Sequence, residues 1–184
     1  MAREIYTIGH STHPIERFIR LLGAHRIELL ADVRRFPGSR RNPQFGAEAL
    51  AASLDAERIA YEGLGAELGG RRRARRDSPN DAWRVEAFRA YADHTASDEF
   101  RAGLARLEAL TSERRAAIMC AEADWRRCHR RLIADALLAR GWRVLHIGPD
   151  GGLGEHSLPE FATVVGTAVS YASQPSLERE VRDP

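Results

Sequence analysis

The chain has no lysine. All 28 of its basic residues are arginines, set against 26 acidic ones for a net charge of +2. So small a charge excludes bulk electrostatic attraction to nucleic acid, and any such contact must rest on where the arginines cluster. The missing lysine also leaves the glycine-rich stretches Gly63 to Gly65 and Gly148 to Gly154 without the pattern of a phosphate loop, so they read as turns. Cysteine is scarce: Cys120 and Cys128 are the only two in 184 residues, which excludes a disulfide framework and reads first as thiols in a reducing compartment. Long apolar runs are absent. None approaches the roughly 18 residues of a membrane helix, and Met1 to Ile5 lead into a strand pattern rather than a signal peptide. A cytoplasmic protein without membrane contact is the expectation.

What is present is 43% hydrophobic and 29% charged residues, enough for one well-buried core. Short apolar runs at Glu4–Gly9, Ile27–Val33, Ile59–Tyr61, from Ala116, and at Val144–Ile147 predict five strands. Helical spacing predicts helices from Pro14 to about His25, with Ser11 or Thr12 as cap, and over 46–58, 83–94, 98–110 and 126–140. Asp124 is the expected N-cap of the last of these and Gly141 its C′ residue. Leu158 to Val169 is open between a final helix and a mixed segment. Near-continuous apolar strands alternating with helices predict a single-domain α/β fold over 1–170, a three-layer sandwich around a mostly parallel, Rossmann-like sheet. A loosely ordered tail is expected over 171–184.

One segment, Met119 to Arg130, gathers both cysteines with Glu122, His129 and Arg130. It spans a strand-to-helix turn, where open α/β sheets place their ligands. Other chemistry-bearing residues fall at strand ends too: His10 and Ser11 after the first, Asp32 and Arg34 at the second, His146 at the fifth. In a parallel sheet all of these converge on one rim. Alternation puts Cys120 and Glu122 on one face. Helical stepping turns Trp125, Cys128 and His129 inward and leaves Arg126, Arg127, Arg130 and Arg131 outside or on the flanks. A thiol at a helix N-terminus is activated, and a thiol, an imidazole and a carboxylate together serve either nucleophilic chemistry or metal ligation. A zinc site from Cys120, Cys128, His129 and one of His10 or His146 is conceivable, although the spacing fits no compact zinc motif. The bland readings stand beside these: Cys120 as a core hydrophobe, His129 as a satisfied core histidine, Glu122 and Asp32 as helix caps or ion-pair partners.

The order Thr7-Ile8-Gly9-His10-Ser11-Thr12, Asp32-Val33-Arg34 with Pro37 and Ser39, Leu68-Gly69-Gly70, then Cys120-Ala121-Glu122 with Cys128-His129-Arg130, resembles the domain of unknown function 488 family, over about residues 5 to 148. The resemblance implies a compact α/β domain in which His10, Ser11, Asp32, Arg34, Cys120, Glu122, Cys128, His129 and Arg130 share one site, and it carries no activity. The resulting expectation is an enzyme acting on a phosphate-bearing substrate, a nucleotide or a nucleic-acid end. Cys120 or Cys128 serves as nucleophile or ligand, His129 as acid or base, and Glu122 or Asp32 orients it. His10, Ser11, Thr12, Arg34, Ser39 and Arg130 are the candidate anion-binding residues. Two alternatives differ in class: a non-catalytic nucleic-acid-binding module using the loops 34–41 and 71–76, with Arg71, Arg72 and Arg73, and a thiol redox sensor pairing Cys120 with Cys128. Partners are an anionic small molecule or nucleic acid, and no cofactor is named by the residues.

Overall fold

The computed structural model describes residues 3–38 and 40–173; Ser39 and the expected tail beyond 173 lie outside the described residues. Five parallel strands form the sheet: β1 (Glu4–Gly9), β2 (Leu29–Asp32), β3 (Ala60–Gly63), β4 (Ala116–Cys120) and β5 (Arg143–Ile147). Their order is β3-β2-β4-β1-β5, and an unforeseen antiparallel strand, β6 (Leu153–Glu155), closes the β5 edge. Because successive side chains point to opposite faces, each buried run feeds two cores. Tyr6, Ile8, Leu30, Ala117 and Met119 meet Phe18, Leu22, Leu50 and Leu54 of helices α1 (Ile15–Ala24) and α2 (Ala47–Asp55). Ile5, Leu29, Ala31 and Ile118 meet Leu68, Tyr91, Leu104, Leu107, Leu132 and Ile133 of α3 (Gly65–Leu68), α4 (Glu86–Thr95), α5 (Asp98–Glu113) and α6 (Arg130–Ala139). This is the single-domain α/β sandwich anticipated, with helices on both faces.

The topology locates the crevice. β1 and β4 are neighbours, yet β1 leads into α1 on one face and β4 into α6 on the other, so the two connections diverge above the strand ends. That divergence is the switch point at which such sheets bind ligands. The β1–β4 pairing continues past the strands, with the amides of His10 and Ser11 donating to the carbonyls of Cys120 and Ala121 at 2.9 Å each. The loop after β4 then crosses β1 so closely that a Cβ on Gly9 would lie 1.9 Å from the Glu122 carbonyl oxygen. Only glycine permits that crossing.

Several local expectations change. Pro14 occupies the N-cap position of α1, and neither Ser11 nor Thr12 caps it; Ser11 instead adopts a left-handed φ of 48° as the chain turns off β1. Where spacing predicts one helix over 126–140, Asp124 caps a 3-10 turn, Trp125–Arg127, and α6 begins at Arg130. Gly141, with φ 82°, ends that helix as anticipated. The segment 158–169 holds no helix: β-branched Thr163, Val164 and Val165 form β7 (Thr163–Val165), which pairs with β8 (Ala168–Ser170) around Gly166. Residues 171–173 are anchored rather than loose. Tyr171 is 1% exposed with its hydroxyl on Asp135, and Ser173 bonds Asp81.

Candidate active site

Cys120 ends β4, and its thiol donates to Glu122 Oε2 at 2.8 Å, the same-face pairing that strand alternation predicts. Cys128 and His129 follow the 3-10 turn and enter α6. His129 Nε2 lies 3.0 Å from the Val33 carbonyl, which can only accept, so Nε2 carries hydrogen and in the neutral ring Nδ1 presents its lone pair. Nδ1 faces both sulfurs, 3.8 Å from Cys120 and 3.7 Å from Cys128. The three donor atoms all lie within 4.8 Å of one another. The two thiols divide electrostatically. The hydrogen bond with Cys128, burial, and the charges of Cys128 and Glu122 push Cys120 well above the usual thiol range. Burial also opposes ionisation of Cys128, but the hydrogen bond from Cys120, the hydrogen bond and charge that His129 offers in its imidazolium form, and the charge of Arg130 outweigh it and hold this thiol well below that range.

The cluster forms one end of a cleft of about 240 Å³, whose walls include Arg34, Arg35, Phe36, Gly70, Arg71, Phe88, Tyr91, Glu122 and Arg127. Glu122 is exposed to it. A Cβ on Gly70 would sit 3.0 Å from His129 Nδ1, so this glycine leaves the approach to the imidazole open. Phe36 stands 65% exposed at the cleft, beneath the Arg71 guanidinium at 5.8 Å.

The remaining candidates separate into two further clusters. Asp32, 1% exposed, accepts from Arg34 Nε at 2.9 Å, Arg34 NH2 at 2.6 Å and the Tyr61 hydroxyl at 2.8 Å. The other Arg34 arm donates to His10 Nε2 at 3.2 Å, and His10 Nδ1 bonds the Ser11 carbonyl at 2.8 Å. Burial, with help from the Arg34 charge and against the Ser11 bond, lowers His10 to about 4, and its neutral ring stacks on Phe45 at 4.2 Å. Asp32 therefore fixes Arg34 at the cleft wall, the ion-pair role weighed for it, and has no bond to the His129 that the catalytic reading had it orienting. Ser11 and Thr12 do not line the cleft.

Arg130, read from helical stepping as a flank residue and an anion ligand, is 1% exposed. Its guanidinium donates to the carbonyls of Glu122 at 2.5 Å and Ala123 at 3.4 Å and to Thr7 Oγ1 at 3.3 Å, so it holds the Glu122 loop from beneath. The helix starts four residues later than the spacing predicts, which rotates Arg130 into the core. Arg72 is likewise a strut: its guanidinium donates to the carbonyls of Gly69, Ala66 and Glu67 and to Glu99. Arg71 faces the cleft, and Arg73 is exposed beyond it. His146 belongs to a separate buried chain in which Thr7, His146, His156, Asp135 and Tyr171 are joined by bonds of 2.6 to 3.0 Å. Neither His10 nor His146 joins the Cys120, Cys128 and His129 group.

Phe88, Tyr91 and Arg127 are cleft residues that the sequence did not offer as site residues, whereas Arg35 and Phe36 belong to the loop 34–41 that it offered for phosphate contact. The position of Arg127 beside Cys128 offered a signal; Phe88 and Tyr91 come from α4, which no motif marks.

Among curated proteins and among solved structures, nothing matches the chain. The family model described as Domain of unknown function DUF488 matches residues 14–137, more than half of the chain. That span contains every residue lining the cleft and excludes only the first of the motifs, Thr7 to Thr12. The chain belongs to the DUF488 family of domains of unknown function.

Proposed function

We propose that the chain is an enzyme acting on a phosphate-bearing substrate, a nucleotide or a nucleic-acid end, bound in the cleft with its reacting centre against Cys120, Cys128, His129 and Glu122. The observation that carries this reading is the pairing of opposites in one small space. Arg34, Arg35, Arg71 and Arg127 line the cleft whose end holds an electron-rich cluster of two thiols, an imidazole and an exposed carboxylate. Guanidinium groups favour phosphate because their planar fork matches its oxygens, and Arg35, Arg71 and Arg127 supply such forks, while Arg34, held by Asp32 and His10, adds positive charge at the wall. The exposed ring of Phe36 adds a surface on which a base can stack, which favours a nucleotide over bare phosphate. Glu122 is positioned to take or return a proton at the substrate, and His129, oriented through Val33, presents Nδ1 to the sulfurs.

Isothermal titration with a panel of nucleoside mono- and diphosphates, followed by turnover assays on whichever binds, tests the proposal. Arg71→Ala with Arg127→Ala is expected to weaken binding at least about tenfold, because each charge-assisted contact is worth roughly 1.5–3 kcal/mol. Glu122→Gln is expected to bind normally and turn over poorly. Binding that ignores the double arginine variant would overturn the reading. The rival of a non-catalytic nucleic-acid module has less support, because Arg72 is committed to the protein's own carbonyls.

A further inference from the structure

We propose that Cys120 Sγ, Cys128 Sγ and His129 Nδ1 bind one zinc ion, with the fourth coordination position open to the cleft beside Glu122. The inference rests on the cleft reading above and gives its reactive end a chemical identity.

Separation is the first ground. Zinc–sulfur bonds of about 2.3 Å and zinc–nitrogen bonds of about 2.0–2.1 Å at a tetrahedral angle place sulfur and nitrogen about 3.6 Å apart. His129 Nδ1 stands 3.7 and 3.8 Å from the two sulfurs, and all three atoms fall within 4.8 Å. The Cys120 proton is directed to Glu122, so the approach of Nδ1 to that sulfur is not a hydrogen bond from its thiol, and a metal between the three atoms accounts for it.

Orientation is the second. The opposite ring nitrogen, Nε2, donates to the Val33 carbonyl, an arrangement that fixes the tautomer and turns the ligating nitrogen inward, as protein ligands of zinc are usually held. Donor chemistry is the third: two thiolates and an imidazole select zinc over harder divalent ions. The backbone amide of Arg130 donates to Cys128 Sγ at 3.5 Å, an outer contact that helps hold this sulfur in place.

Three protein ligands are the number catalytic zinc sites use, and the neighbouring carboxylate supplies the base. Both sulfurs bind as thiolates, any thiol proton they carry passing to solvent, and a water fills the fourth position. The metal-bound water passes one proton to Glu122, the hydroxide adds to an electrophilic centre of the substrate, and Glu122 returns the proton to the departing group. The class of reaction is hydrolytic, and no oxidant or reductant is consumed.

The test uses the full chain, stripped with chelator under reducing conditions and titrated with Zn(II) and, in parallel, Co(II). One equivalent of Zn(II) is expected, with intense tetrahedral Co(II) absorption and a thiolate-to-metal charge-transfer band. Cys128→Ser is expected to lose that band and to weaken Zn(II) binding at least about 100-fold, more than loss of an outer-shell partner costs. Glu122→Gln is expected to keep full stoichiometry. If Cys128→Ser does not fold, the Co(II) spectrum of the wild type decides alone. No uptake, or an octahedral spectrum without sulfur charge transfer, overturns the proposal. Nucleotide binding measured on the same stripped protein separates the two claims: binding retained without metal uptake sinks the zinc site only, and metal uptake without binding sinks the cleft reading only.

Discussion

Replacing Tyr171 with phenylalanine removes one oxygen from a wholly buried position and adds nothing. That hydroxyl donates at 2.6 Å to Asp135 Oδ2, while His156 Nε2 lies 2.7 Å from Oδ1, and Asp135 has no solvent exposure. A hydrogen bond to a charged acceptor contributes about 1.5–3 kcal/mol, and the carboxylate left behind has no water to replace it, so a loss of about 2 kcal/mol is expected. For a chain of this length each kcal/mol corresponds to roughly 2–4 °C, which puts the fall in melting temperature at about 4–8 °C. Tyr91→Phe is the internal control. Its hydroxyl donates at the same 2.6 Å, but to the neutral Leu68 carbonyl, so the cost should be nearer 1 kcal/mol. Urea denaturation of both variants measures the two losses. The reasoning fails if Tyr171→Phe lies within about 0.5 kcal/mol of wild type, the range of an unimportant surface change, or if the two variants cost the same.

Further outcomes follow from single contacts. His146 is lowered from 6.5 to about 2 by burial first and then by the charges of His156, Arg130 and Arg126, with Thr7 and Trp125 completing its surroundings. The folded state therefore holds the neutral ring and the unfolded chain protonates first: stability is full above pH 6.5 and falls as pH drops below it, by up to about 1.4 kcal/mol per pH unit. Denaturation midpoints should show this slope and His146→Gln should reduce it; a flat profile below pH 6.5 would contradict it. Gly9→Ala drives a Cβ to 1.9 Å from the Glu122 carbonyl and should cost about 3 kcal/mol or more, whereas Gly23→Ala, exposed in α1 with nothing within 4 Å, should stabilise by up to about 1 kcal/mol, both read by thermal melting. Phe36→Ala should leave stability unchanged and weaken nucleotide binding by about 1–3 kcal/mol in titration calorimetry.

Four of the five parallel strands were legible as short apolar runs buried on both faces, the partly buried edge strand β3 only through Ile59 to Tyr61, and the cysteine-bearing turn was legible because it concentrates rare residue types after one strand. The walls of the cleft were legible only in part, at Arg34, Arg71 and Glu122. Phe88 and Tyr91 reach it from α4, far away in sequence, and Gly70 matters only through its approach to His129. Helical periodicity misplaced Arg130 because the 3-10 turn before α6 shifts the phase of everything after it. Asp32 and Cys120 end strands that are neighbours in the sheet, yet alternation sends Cys120 toward α6 and leaves Asp32 with Arg34 and Tyr61. Strand ends gather residues on one rim, but the pleat decides which of them touch. The β7–β8 hairpin was hidden in a segment whose short apolar runs carry neither period clearly.

The central claim is that a phosphate-bearing ligand occupies the arginine-lined cleft, and amide chemical-shift mapping during titration with a nucleoside monophosphate tests it most directly. The account predicts saturable shifts grouped at Phe36, Gly70, Arg71 and Arg127 to His129, the residues around the cluster. Shifts confined to the exposed Arg73, Arg75 and Arg76, or none at all, would contradict it.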